Sequence, residues 1–209
     1  MRAILPPALR HHLVALRMLL AFTVITGIAY PLLVTAIAQA GLSHQANGSL
    51  LTTNGTPVAS SLIGQNFTLP TKNPHDAQEP LRPDPKWFQP RPSAGGYDPM
   101  NSGASNLGPN NTTLIKTIKS RRAAVAAFDG VPSSSVPADA VTASGSGLDP
   151  AISPAYAYEQ AGRIARARHV DPAKVRALIA QHVQGRVLGF LGQKRVNVVE
   201  LNHDLARLM

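Results

Sequence analysis

From Met18 to Ala40 an apolar run proceeds without a single charged side chain. At about 1.5 Å rise per residue it would extend roughly 35 Å as a helix, against about 30 Å of bilayer hydrocarbon. The pattern predicts one membrane-spanning helix over 18–40, with 1–17 before it. No later run compares; the apolar patch Val187 to Leu191 is short and contains Gly189. The stretch Ser43 to Thr56, rich in Gly, Ser, Asn and Thr, reads as a flexible tether or a surface loop, and a linker is expected over 41–57. Val58 to Ile63 suits a short strand stopped by Gly64. Prolines crowd the segment from Pro70 through Pro74 to Pro109, which predicts ordered coil and turns, because proline lacks a donor and fixes its backbone.

Helical spacing returns with Leu114, Ile115, Ile118, Val125 and Phe128, behind an N-cap at Asn111 or Thr112. Ala138 to Ala143 is a strand candidate. Ser153-Pro154 supplies an N-cap and a first-turn proline for a helix to Arg168, with Glu159 placed to pair with Arg163 one turn on. Asp171-Pro172 repeats the signal, and Val175, Leu178, Ile179 and Val183 give that helix its buried stripe. Val196 to Val199 reads as a strand and Asn202 to Leu208 as a short helix. The expected fold is α+β: one N-terminal transmembrane helix followed by one mixed α/β extracytoplasmic domain over 58–209.

Charge sets the expected orientation. Arg2, Arg10 and Arg17 precede the span and the next basic residue is Lys72, so the N-terminus is expected in the cytoplasm and the domain outside it. The rival reading is a cleaved signal peptide, since Ala36-Ile37-Ala38 and Ala38-Gln39-Ala40 have the small-x-small form; it would release a free-standing exported binding protein. The absence of cysteine excludes disulfides, thiol catalysis and a lipidated cysteine anchor. The formal charge is +9, but removing the three flanking arginines from 20 basic residues leaves 17 against 11 acids, or +6. Lys116, Lys119 and Arg122, and the cluster of Arg163, Arg166 and Arg168, lack interleaved aromatics, so no nucleic-acid partner is expected.

Two patterns carry candidate chemistry. Thr23, Gly27, Pro31 and Thr35 recur every four residues in the span, a small-residue face suited to packing against other membrane helices or, failing that, scattered small residues facing lipid. Ser144, Gly145, Ser146, Gly147 and Asp149, with Leu148 and Pro150, precede the helix at Ser153 and form a nucleotide-site candidate, because a glycine-rich turn before a helix exposes amides. The competing reading is a structural turn in which Gly145 and Gly147 supply unusual backbone angles. The run lacks the Gly-Lys-Ser/Thr of a P-loop. Gly103 to Leu107 misses a nucleophile elbow, and none of the seven histidines forms a paired metal-ligand spacing, so neither a catalytic residue nor a metal site is expected.

Several segments together resemble one family: Thr26 to Pro31, Leu62 to Phe67, Phe88 with Arg91 to Ala94, Ser105 to Pro109, Val141 to Pro150 with Ile152 to Pro154, and Arg195 to Val198 before Leu201-Asn202. The chain resembles the C subunit of the Kdp-type potassium-transporting ATPase over nearly its whole length. Trp87, Ala104 and His203-Asp204 depart from the usual pattern. The resemblance implies an accessory, non-catalytic subunit of a high-affinity potassium import pump in a bacterial inner membrane. Its implied partners are a channel-like potassium-translocating subunit, an ATP-hydrolysing P-type subunit and membrane lipid. It further implies stabilisation of the complex and a raised ATP affinity of the catalytic subunit, with ATP and potassium belonging to the complex and no cofactor held firmly by this chain.

Overall fold

The computed structural model describes residues 6–73, 76 and 79–208; Arg2, Pro74, His75 and Met209 lie outside the described residues. Two compact units divide the chain, Met1–Ser49 and Leu50–Met209.

Through the first unit runs one continuous helix, Pro7–Gly41, of 35 residues, long and apolar enough to cross a membrane. It runs as α1 (Pro7–Val24), a π-helical turn (Ile25–Ala29) and α2 (Tyr30–Gly41). Pro31 explains the wide turn. Its ring crowds the carbonyl four residues back and it has no N–H to donate. The ladder shifts register just before it, so that the Tyr30 N–H reaches the Ile25 carbonyl five residues back. Thr26 also turns its hydroxyl onto the Phe22 carbonyl at 2.7 Å. Leu19, Leu32 and Ile37 are each more than 60% exposed, and no side chain of α1 or α2 is buried. A water-soluble helix would hide an apolar stripe; this one is apolar and uncovered around its whole girth.

The linker expected over 41–57 is not flexible chain. A short helix α3 (Ser43–Ala46) follows at once, and strands β1 (Leu50–Thr53) and β2 (Thr56–Ser60) form an antiparallel hairpin. Its turn is Asn54-Gly55, with φ of 51° and 80°, the pair that matches the twist of a two-residue hairpin. Composition alone concealed this, because Ser, Thr and Asn also suit a hairpin's exposed strands.

The second unit packs helices α4 (Thr112–Asp129), α5 (Pro154–Arg168), α6 (Pro172–His182) and α7 (Val198–Leu205) around a small antiparallel sheet of β3 (Ala151–Ile152), β4 (Val183–Gln184) and β5 (Arg195–Asn197), in the order β3-β5-β4. Local caps start the helices: Asn111 accepts from the Thr113 and Leu114 amides, Ser153 from Tyr156, Asp171 from Ala173 and Asn197 from Val199 and Glu200. The Ala138 to Ala143 strand is corrected to a 3-10 turn at Ala138–Ala140. Val183 opens β4 instead of ending α6, and the chain turns helical at Val198, since Asn197 caps there.

Ile164, Val175, Ile179, Val196, Leu201 and Leu205 form the centre of the core, with Phe88 sealed against them. Phe88 sits in the proline-rich coil, which side-chain amides hold as a strand would. Asn202 accepts from the Phe88 N–H and donates to its carbonyl, both at 2.9 Å, while Gln160 accepts from Gln89 N–H at 2.6 Å and donates back at 3.1 Å. The expected Glu159 to Arg163 pair does not form. Arg163 points inward to Asp129, 2.6 Å away, because its position on α5 faces the core.

Glu159 is left with a buried oxygen, Oε1, that has no hydrogen-bond partner among the described residues. Burial, then the charges of Asp129 and Asp139, push its carboxyl up to about 7. The folded chain therefore holds a proton that the unfolded chain loses near 4.5. This contribution to stability is full at low pH and disappears as pH rises through about 7. The Tm of the unsubstituted chain is expected to fall from about pH 5 to about pH 8 relative to that of Glu159→Gln, and parallel curves in a thermal melt would refute this.

Candidate functional site

The two candidate sites lie in different units. In the helix, Thr23, Gly27, Pro31 and Thr35 are spaced by four, which in an uninterrupted α-helix drifts about 40° per step, or roughly 120° over three steps. The wide turn takes up about one extra residue and so withdraws most of that rotation. It thereby brings the four positions toward a single line. A Cβ built on Gly27 meets nothing of this chain nearer than Thr23 Cγ2 at 4.0 Å. The groove beside Gly27 is open to whatever packs against it.

The Ser144 to Pro150 run lies before α5 and is closed on itself. Ser144 Oγ accepts from the Gly147 N–H at 2.8 Å, and Ser146 Oγ accepts from Leu148 N–H at 3.1 Å. Two amides that a phosphate would need are thus directed at the run's own hydroxyls. Outside segments fasten the carbonyls: Ser93 Oγ donates to Gly147 at 2.7 Å, Gly103 N–H and Ser102 Oγ to Ser146, and Gly64 N–H to Leu148 at 2.8 Å. Asp149 accepts from Ala151 N–H at 2.9 Å and pairs with Arg91 at 3.2 Å. Only one of the two glycines has the expected unusual angle. Gly147 has φ of +70°, and a Cβ there would stand 2.8 Å from the Gly103 carbonyl oxygen; Gly145 has open space and no positive φ.

The N-terminus of α5 already faces a carboxylate. Asp139 accepts from the Ser153 N–H at 2.6 Å and from its hydroxyl at 2.9 Å, while that hydroxyl caps Tyr156. The cavity of about 400 Å³ at this place is lined by Asp139 and Asp149 together with Arg91, Lys194 and Arg195, so its bases face acids of the same chain. Arg91 donates to the Thr142 and Ala143 carbonyls as well as to Asp149. Beside it a cleft of about 250 Å³ is lined by Arg91, Tyr97, Arg121, Phe128 and Tyr156. Tyr97 donates from its hydroxyl to the Arg91 carbonyl at 2.6 Å, and burial pushes its phenol above the ordinary value. Burial likewise pulls the Arg121 guanidinium down. These groups brace the loop. Sequence reasoning missed Ser93, Gly103 and Asp139, which lie 14 to 54 residues from the atoms they hold; the only local sign was the Ser153 cap itself.

Comparison with known proteins bears on the whole chain. One family, described as "KdpC: K+-transporting ATPase, c chain", matches residues 12–207. A Streptomyces avermitilis protein called potassium-transporting ATPase KdpC subunit is 50% identical over 207 residues, covering 93% of this chain and 92% of its own. A Sorangium cellulosum protein of the same name is 48% identical, covering 93% and 96%, and one from Mycobacterium tuberculosis is 46% identical, covering 95% and 99%.

Proposed function

The chain belongs to the family of the C chain of K+-transporting ATPases, and from that premise we propose that it is the accessory, non-catalytic subunit of an ATP-driven, high-affinity potassium import pump. Its partners in this reading are a channel-like potassium-translocating subunit and an ATP-hydrolysing P-type subunit. The helix holds it once across a bacterial inner membrane, with the N-terminus cytoplasmic and the α/β unit outside. Its role is to stabilise the assembly. Any rise in the ATP affinity of the catalytic subunit is then transmitted through membrane helices, since the Gly147, Leu148 and Ser153 amides that a phosphate would use are already bonded within the chain.

The observation that carries this reading is the uncovered apolar helix with its open groove at Gly27. Small residues on such a helix allow close backbone approach, and the wide turn before Pro31 gathers them. Because Gly27 has room on its own chain, Gly27→Leu adds bulk only toward a neighbour. The substituted chain is expected to stay in the membrane with its α/β unit folded, yet to retain the other ATPase subunits several-fold less well in a gentle-detergent pull-down. Equal retention would remove the helix face from the assembly. Release of a soluble form cut after Ala38 or Ala40 would favour the free-standing alternative, although both alanines lie inside the continuous helix.

A further inference from the structure

The connection between β4 and β5 carries an apolar tip that nothing in this chain covers. Val187, Leu188, Phe190 and Leu191 are 62%, 79%, 68% and 50% exposed. The tip is nevertheless ordered by its own backbone. Val187 and Leu191 exchange both hydrogen bonds, at 3.0 and 2.9 Å, and Gly189 N–H reaches the Arg186 carbonyl at 3.1 Å. Leu188 is held at φ of 53°, a left-handed conformation that is unfavourable for a residue with a side chain. The base of the hairpin is fixed by the pairing of β4 with β5, where Val183 stands opposite the fully buried Val196. Exposure of four large apolar side chains and a strained leucine both disfavour the isolated chain, and both are offset when the tip is seated elsewhere.

The surroundings narrow what seats it. Between Val183 and Val199 the sequence holds no acid, and Arg186 adjoins the tip; Lys194 and Arg195, the latter bonded to Gln184 at 2.9 Å, stand at its base around a cavity shared with Asp139 and Asp149. A fluid lipid surface asks for apolar area and positive charge but no fixed shape. Here a strained, internally bonded turn fixes the shape in advance, which favours a pocket in a folded partner. We infer that the 186–195 hairpin docks its apolar tip into an acid-rimmed apolar pocket on another subunit of the same ATPase. This rests on the subunit reading given above.

The test uses the assembled ATPase in its membrane, with a benzophenone-bearing phenylalanine analogue in place of Phe190. Light is expected to join this chain to another ATPase subunit. An adduct with lipid alone, with a second copy of this chain, or with nothing would overturn the docking. In parallel, Leu188→Asp combined with Phe190→Asp is expected to lower recovery of the other subunits about tenfold or more, as loss of interface anchors does, with the thermal melt of the chain unchanged. Unchanged recovery would count equally against it. If the unsubstituted chain retains no other ATPase subunit, the subunit reading falls and this inference with it; retention without an adduct removes only the docking.

Discussion

Arg163→Met is expected to destabilise the α/β unit by about 3–5 kcal/mol, the cost of stranding a buried charge. Asp129 and Arg163 are 1% and 4% exposed, and their 2.6 Å contact is the one direct ion pair each makes among the described residues. Burial pushes the Asp129 carboxyl up and the Arg163 guanidinium down, so desolvation weighs on both. The same guanidinium donates to the Pro85 carbonyl at 2.6 Å, the Trp87 carbonyl at 3.0 Å and Gln160 at 2.6 Å, and lies 4.4 Å from the Phe128 ring centre. Methionine fills the volume and satisfies none of these oxygens. Without its partner Asp129 escapes by taking up a proton. Its raised folded value makes the variant most stable in acid, and that stability is lost as pH rises through it. Urea unfolding followed by the single tryptophan, Trp87, measures the loss. Adding Asp129→Leu to Arg163→Met should recover part of it, because an apolar pair leaves no charge stranded. A cost under about 1 kcal/mol would mean that the pair is not the tie between α4, α5 and the proline-rich coil.

Gly147→Val should be the next most damaging change, through two independent effects. A β-branched residue at φ of +70° carries about 1–3 kcal/mol of backbone strain. Its Cβ would also meet the Gly103 carbonyl at 2.8 Å, a backbone atom that cannot swing aside. Opening that contact disturbs the bonds from Ser93 and Gly103 that hold the loop. Gly145→Ala meets open space and serves as the near-neutral control. Asp149→Asn keeps its acceptor for Ala151 and loses only a partly exposed ion pair with Arg91, a change of about 0–1 kcal/mol. Calorimetric titration of the full chain with ATP separates structural turn from nucleotide site. No saturable binding is expected; saturable binding abolished by Gly147→Val in a chain that remains folded would establish the loop as a site.

What the sequence displayed was local chemistry. Asn111, Ser153 and Asp171 announced their helices because a cap needs only its own residue and the next three. The run from Met18 to Ala40 announced a helix able to span a membrane because length and charge suffice. Strands of two or three residues such as β3 and β4 exist only by pairing with β5, which no local pattern reveals. Arg163 illustrates the same limit. Spacing offered it Glu159, one turn away, whereas burial gave it Asp129, 34 residues away. At Ser144 to Pro150 the glycines and serines were visible as a turn that closes on itself, but the distant donors that fasten its carbonyls, from Gly64, Ser93 and Gly103, were not.

His203 joins the two ends of the α/β unit. Its Nε2 lies 3.2 Å from the Thr52 carbonyl and 3.2 Å from the Thr53 hydroxyl, so the last helix grips the first hairpin across 150 residues of sequence. Chain ends ordinarily fray first and exchange their amide hydrogens fastest. The contact links β1 to α7, so the amides of these two end elements are expected to exchange together.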